Sequence, residues 1–88
     1  MYLILYSKPG CHLCEGLLEK LQQIQTLKLE IEIRDITTQE DWFNAYQYEV
    51  PVLYQKLGNT EKIIPRPSPR MRILQLERML QKYVTQSP

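Results

Sequence analysis

Cys11 and Cys14 are the only two cysteines in this 88-residue sequence, and two residues separate them. Residues three apart on a helix lie on the same side of one turn, so the two thiols can meet and close a disulfide. In a reducing compartment, where multi-bridge frameworks are rare, such a pair is either reactive or metal-binding. The spacing therefore predicts thiol chemistry at this position.

The residues around the pair predict an order of action. Cys11 stands where a helix is expected to begin, so the unpaired N–H groups and the dipole of that helix favour its thiolate, the form that attacks. Lys8 and His12 add positive charge nearby, whereas Glu15 opposes them. Cys14 lies one turn deeper and is expected to be less exposed. We therefore expect Cys11 to attack a disulfide and Cys14 to resolve the mixed disulfide.

Two other interpretations of the pair stay open. Cys-x-x-Cys can supply half of a zinc site, but a closed site needs four ligands, and His12, the only histidine, points elsewhere on the turn. Carboxylates or a second chain would have to complete the site, so the alternative function is a binding module that holds a metal or a shared iron–sulfur cluster through Cys11. Inert packing is the other interpretation, because free cysteine is often buried.

The pattern of apolar residues predicts the elements that hold the pair. Residues 2–6 are apolar at every position, which is typical of a strand covered on both faces. From Cys11 to about Thr26, apolar residues recur at helical spacing. Residues 27–34 alternate between apolar and charged side chains, which predicts a half-exposed edge strand. A strand before the thiol pair and a helix after it favour redox chemistry over the two alternatives.

The second half of the chain predicts a helix, a hairpin and a last helix. The segments are a helix over 37–48 that begins near Thr38 or Gln39, a strand over 50–54, a turn at Gly58-Asn59, a returning strand over 62–64 and a Pro-rich connector over 65–69. Pro51 can only begin its strand. Ser68 and Pro69 suit the N-cap and first turn of the last helix. The order β-α-β-α-β-β-α predicts an α/β layered domain with a parallel, right-handed first crossover.

Length and composition indicate one ordinary globular domain over residues 1–88. Apolar residues make up 43% of the chain, charged residues 24%, and the net charge is +1. This charge gives no general reason to bind nucleic acid or an anionic membrane. The opening apolar run is too short for a secretory leader or a membrane span. We therefore expect a monomeric cytoplasmic protein with no nucleic-acid or membrane partner.

Two segments resemble those of a known family. Tyr6-Ser7-Lys8-Pro9-Gly10-Cys11-His12-Leu13-Cys14 resembles the active-site segment of glutaredoxins, and Val50-Pro51 resembles their valine followed by a cis-proline. The short chain resembles the small bacterial glutaredoxin-like proteins in particular. The resemblance implies a thioredoxin-like fold, a four-stranded mixed sheet flanked by three helices, with the site at the carboxyl end of the first strand.

The resemblance also implies roles for individual residues. Cys11 attacks, Cys14 resolves, Lys8 lowers the pKa of the Cys11 thiol, and Pro51 stands opposite the thiols while the Val50 backbone pairs with an extended substrate. His12 and Leu13, between the two cysteines, are expected at the same substrate-binding surface.

The expected partners follow from this activity. The substrate is a disulfide-bonded or glutathionylated protein, and the reductant is glutathione or the thioredoxin system. No cofactor is expected, and glutathione is a potential co-substrate. The segment before the last helix departs from the Gly-Gly and acidic pattern of glutaredoxins, so we expect weak glutathione-dependent activity. Arg66 and Arg70, with Arg72, are expected to pair with substrate carboxylates or only to solubilise the surface.

Overall fold

The computed structural model describes residues 1–85, and the predicted order of elements is confirmed there. The chain forms β1 (Tyr2–Ser7), α1 (His12–Gln22), β2 (Glu30–Asp35), a 3-10 turn (Ile36–Thr38), α2 (Glu40–Tyr46), β3 (Val52–Leu57), β4 (Thr60–Ile64) and α3 (Ile73–Thr85). Within these described residues, no helix is long and apolar enough to cross a membrane. The expected fold, three helices around a four-stranded mixed sheet, is therefore correct.

The sheet has the strand order β2-β1-β3-β4. β1 pairs in parallel with β2, with Leu5 opposite Ile33, and antiparallel with β3, with Leu5 opposite Leu53. β3 and β4 form the predicted antiparallel hairpin around Gly58, whose φ of +59° suits glycine. The continuous apolar run of β1 thus belongs to a central strand, and the alternating β2 is an edge strand, as predicted.

Each face of the sheet has its own apolar cluster. On one face, Leu3, Leu5 and Leu53 pack with buried residues of α1 and α3, among them Leu21 and Leu80. The opposite face carries a second cluster, which contains Ile4, Tyr6, Cys14, Ile36, Val50 and Val52. Because burying one such aliphatic side chain stabilises the fold by about 1.5–3 kcal/mol, the two clusters together fix how the helices lie on the sheet. Cys14 is therefore part of the packed interior as well as of the motif.

The start of the last helix differs from the prediction. Ser68 does not cap α3; its hydroxyl accepts a hydrogen bond from the Arg70 N–H at 3.2 Å, and its carbonyl accepts one from the Met71 N–H at 2.9 Å. Ser68 therefore closes a separate turn. The helix begins at Ile73, where the Gln75 side chain accepts from the Arg72 N–H at 2.9 Å, one half of a capping box. The connector consequently extends to residue 72.

Smaller differences concern the ends of other elements. α1 ends at Gln22 instead of near Thr26, and β3 runs to Leu57, three residues beyond its predicted end. α2 begins at Glu40, after the 3-10 turn. Element ends depend on local capping, which apolar periodicity does not show.

Candidate active site

Cys11 and Cys14 lie at the start of α1 and are joined as a disulfide, with their Cα atoms 5.3 Å apart. Cys11 is the N-cap residue, with extended backbone angles (φ −85°, ψ 102°), and its Sγ accepts a hydrogen bond from the Cys14 N–H at 3.2 Å. Cys14 is 3% exposed, whereas Cys11 is partly exposed. The geometry therefore joins a partly exposed cysteine to a buried one in a single disulfide.

The loop before the pair turns sharply to bring Cys11 to the helix end. Gly10 has φ +78°, a conformation that residues with a Cβ rarely adopt, and the Cys11 N–H donates to the Lys8 carbonyl at 3.3 Å. The sequence Lys8-Pro9-Gly10 thus ends β1 and positions the N-cap. This explains why the apolar run of β1 is interrupted immediately before the two cysteines.

Lys8, His12 and Leu13, the predicted neighbours of the two thiols, differ in their contacts and exposure. The Lys8 ammonium donates to the Gln47 carbonyl at 3.2 Å, which ties the loop before Cys11 to the end of α2. The His12 side chain is 95% exposed, with Nδ1 lying 3.7 Å from a Glu15 oxygen. Leu13 is also exposed, so an apolar side chain stands free beside the thiols.

Val50 and Pro51 lie next to the pair in space. Their peptide bond is cis, and Val50 packs in the same cluster as Cys14, with Cys11 against it. The Val50 N–H already donates to the Tyr46 carbonyl at 3.1 Å. This N–H is consequently engaged within the chain, and it is not free to pair with an extended substrate.

A groove of about 500 Å³ extends from Pro51 between α1 and the connector. We call it the α1 groove; its lining is His12, Leu13, Gly16, Leu17, Lys20, Pro51, Arg66, Pro67, Ser68, Pro69, Met71 and Leu76. Arg66 reaches its edge and donates to the Glu49 carbonyl at 3.1 Å, just before Val50. Arg70 does not line this groove; it borders a neighbouring shallow depression with Glu19 and Arg72. The structure therefore brings Arg66 to the site and leaves Arg70 beside it.

Lys20 is the residue at this groove that sequence reasoning missed. Its ammonium donates to the Pro69 and Met71 carbonyls, both at 2.7 Å, and so holds the connector against α1. The two carbonyls that accept these hydrogen bonds lie 49 and 51 positions further along the chain. In the sequence Lys20 is only one of several polar residues on the outer side of a helix, and no local signal marks it.

A charged network lies on the sheet face that α2 partly covers. Arg34 donates to Glu32, to both carboxylate oxygens of Glu61 and to the Tyr6 hydroxyl, and its guanidinium lies over the Trp42 ring. Burial opposes the charge of Arg34, but these hydrogen bonds outweigh it and raise its pKa. The network joins the two edge strands across the face that also contains Cys14.

The pKa values of two further groups on this face differ from their ordinary values. Hydrogen bonds from Tyr2 and Arg34 lower the pKa of Glu32. The hydrogen bond between the hydroxyls of Tyr46 and Tyr54, together with burial, raises the pKa of Tyr46 to about 12. These contacts therefore stabilise the neutral form of Tyr46 and the ionised form of Glu32 in the folded state. Among residues 1–85, no three His, Cys, Asp or Glu side chains lie close enough together to hold a metal ion.

Comparisons with known proteins agree with this geometry. The model of the family described as Glutaredoxin-like domain (DUF836) matches residues 2–81. No curated protein sequence matches the chain significantly. Thioredoxin 1 from the thermophilic eubacterium Thermosipho africanus TCF52B superposes with a TM-score of 0.66 at 19% identity, covering 97% of this chain and 96% of that one. This likeness confirms the thioredoxin fold.

Target protein XcR50 from X. campestris is similar in both of its solved forms. Its X-ray structure gives a TM-score of 0.63 at 26% identity and covers 98% of this chain and 99% of that one. Its solution structure gives 0.57 at 24% identity, with 100% and 97% covered. The similarity thus spans both chains almost end to end, with the Cys11–Cys14 pair inside the shared fold.

Proposed function

Since the chain belongs to the family of glutaredoxin-like domains, we propose that it is a thiol–disulfide oxidoreductase that works through Cys11 and Cys14. The observation that supports this best is the pair itself, at disulfide distance on the first turn of α1. Cys11 is partly exposed and Cys14 is buried, which is the asymmetry that an attacking and a resolving thiol need.

The reaction consumes the reduced pair. The Cys11 thiolate attacks one sulfur of a substrate disulfide, forms a mixed disulfide, and releases the first substrate thiolate, which takes up a proton. The Cys14 thiol loses its proton and attacks the Cys11 sulfur, releasing the second substrate thiol. Two electrons pass from the dithiol to the substrate, and glutathione or the thioredoxin system returns them. The N-terminal end of α1 stabilises the attacking thiolate, because the Cys14 N–H donates a hydrogen bond to the Cys11 sulfur.

Lys8 has an electrostatic role in this proposal. Its ammonium is bound to the Gln47 carbonyl, so the charge is held in the loop that precedes Cys11. A fixed cation there favours the Cys11 thiolate over the thiol. Replacing Lys8 with Met should therefore slow alkylation of Cys11 more at pH 6 than at pH 9, and an unchanged ratio would assign Lys8 to loop structure alone.

We place the reaction in the cytoplasm, where a Cys-x-x-Cys pair cycles between reduced and oxidised forms. The proposed substrate is a disulfide-bonded or glutathionylated protein, and the domain acts as a monomer without a bound cofactor. Pro51 and the exposed Leu13 flank the point of attack, with His12 beside them. Because the Val50 N–H is engaged, we assign any backbone pairing with substrate to the Val50 carbonyl.

Trapping of the mixed disulfide tests the assignment of the two thiols. With Cys14→Ser, a disulfide substrate should accumulate as a covalent adduct on Cys11, since no thiol is left to resolve it. Cys11→Ser should form little adduct, because Cys14 is buried. Adducts on Cys14 of the second variant at the same rate would contradict the order.

The colour of anaerobically purified protein tests the alternative function. We expect a colourless protein that turns over disulfides with electrons from glutathione or thioredoxin. Iron–sulfur absorption that disappears in Cys11→Ser would instead assign the pair to cluster binding.

A further inference from the structure

The α1 groove has an apolar floor. Leu17, Pro67 and Leu76 are buried at its base, and Gly16 contributes no side chain, which leaves the space open. A Cβ built at Gly16 would meet no atom within 4 Å. The exposed Leu13 stands at the mouth, beside the thiols. An apolar side chain placed on this floor would leave water without displacing any part of the chain.

The ionised side chains that line the groove are both cationic, and Glu15, which lies beside His12, is outside the lining. Lys20 and Arg66 line it together with His12, and within the described residues no carboxylate belongs to its lining. Arg66 uses one N–H group on the Glu49 carbonyl, and the Lys20 ammonium contacts two carbonyls. Neutral carbonyls leave both positive charges uncompensated, and Arg66 retains further donors. The groove is therefore electrostatically complementary to a carboxylate.

The length of the groove sets how much substrate it can contact. His12 and Lys20 both line it, and eight residues of helix span about 12 Å. An extended chain advances about 3.3 Å per residue, so three to four residues fit between the thiols and Lys20.

We infer that the α1 groove binds an extended segment of the oxidised protein substrate. In this segment an apolar side chain occupies the floor and an acidic side chain pairs with Arg66, both within about four residues of the target cysteine and on one side of it. The inference rests on the proposed function and specifies its substrate class. Glutathione meets the charge requirement, but it has no apolar side chain for the floor, so the lining favours a protein segment.

Disulfide-linked peptide dimers test this directly, because each turnover releases two peptide thiols. One peptide carries a leucine and a glutamate within four residues of its cysteine; its control carries alanine and glutamine there. Each peptide is made with these two residues before the cysteine and again with them after it. The kcat/KM is measured for every peptide dimer and for oxidised glutathione as a further substrate. We expect the Leu/Glu peptide to be preferred about tenfold in one placement, the effect typical of an apolar contact. High salt should reduce the part of this preference that comes from the attraction between the glutamate and Arg66.

A filled groove supplies the second measurement. Gly16→Leu places a side chain in the open space at a helical position that accepts leucine well, so the fold is retained. We expect the preference to fall below about threefold in this variant. The matched control is Gln22→Leu, which adds the same side chain at an exposed α1 position outside the groove and should keep the preference.

The outcomes separate this inference from the function on which it rests. Equal kcat/KM for the two wild-type peptides, or an equal preference in both Leu variants, overturns the inference and leaves the oxidoreductase intact. Turnover of oxidised glutathione that exceeds the better peptide assigns the groove to glutathione and also overturns it. A wild-type protein that reduces none of these disulfides refutes the proposed function itself.

Discussion

Replacing Lys20 with methionine should loosen the connector that forms one wall of the α1 groove. Methionine keeps the length of the side chain but removes both hydrogen bonds, to Pro69 and Met71. A hydrogen bond to a charged group contributes about 1.5–3 kcal/mol net. The Pro69 carbonyl is exposed and regains water, and the side chain regains up to about 2 kcal/mol of rotamer entropy. The free energy of unfolding should therefore fall by about 1–2 kcal/mol.

Urea denaturation measures this loss. With an m-value of about 1 kcal/mol/M for a domain of this size, the midpoint should fall by about 1–2 M. Trypsin should also cleave faster after Arg70, because the connector opens more often. Lys28→Met is the matched control, since Lys28 is an exposed lysine that lines neither the groove nor the connector. An unchanged midpoint together with unchanged cleavage after Arg70 would show that the two hydrogen bonds contribute nothing.

Three further predictions concern ionisable groups on the other sheet face. Arg34→Met should destabilise the domain by about 2–3 kcal/mol in urea denaturation, because it removes the charge-assisted hydrogen bonds from the guanidinium to Glu32 and to the Tyr6 hydroxyl; a loss within error would contradict this. Because the pKa of Glu32 is lowered in the folded state, its stabilising effect should be present above about pH 4.5 and be lost as the pH falls, so Glu32→Gln should flatten the acid limb of thermal unfolding. Because the pKa of Tyr46 is raised to about 12 from 10.0, stability should decline between these pH values, and Tyr54→Phe should move one late tyrosinate transition towards pH 10.

Local sequence patterns were sufficient to predict the elements of this fold. Residues 2–6 of β1 are apolar because both faces of this strand are covered. β2 alternates in residue type because its isoleucines lie on the face of α1 and α3, whereas Glu32 and Arg34 lie on the other face, in the charged network. These periodicities of residue type are visible without any knowledge of distant contacts. The positions of Cys11 and Cys14 on the first turn of α1 followed from the same reasoning.

The groove could not be predicted in the same way. Ser68 has the residue type of an N-cap and the right neighbour in Pro69, yet it closes a turn, because Gln75 supplies the capping contact farther along. Arg66 and Arg70 look equivalent in sequence, but only Arg66 reaches the groove. Each of these outcomes depends on where the connector meets α1. That contact is long-range, so no periodicity encodes it.

Both outer strands of the sheet carry charge, which bears on how the protein behaves at high concentration. β4 has only five residues, with Glu61 and Lys62 near its middle, and Pro65 follows directly after it. On the other side β2 presents Glu30 and Arg34. Charged side chains and a nearby proline discourage one open strand from hydrogen-bonding to that of another molecule, the first step towards fibrils. Replacing Lys62 with valine would remove the positive charge before Ile63, which is 62% exposed on the opposite face of the sheet, and leave three consecutive β-branched residues in this outer strand. Such an uncharged strand should favour self-association.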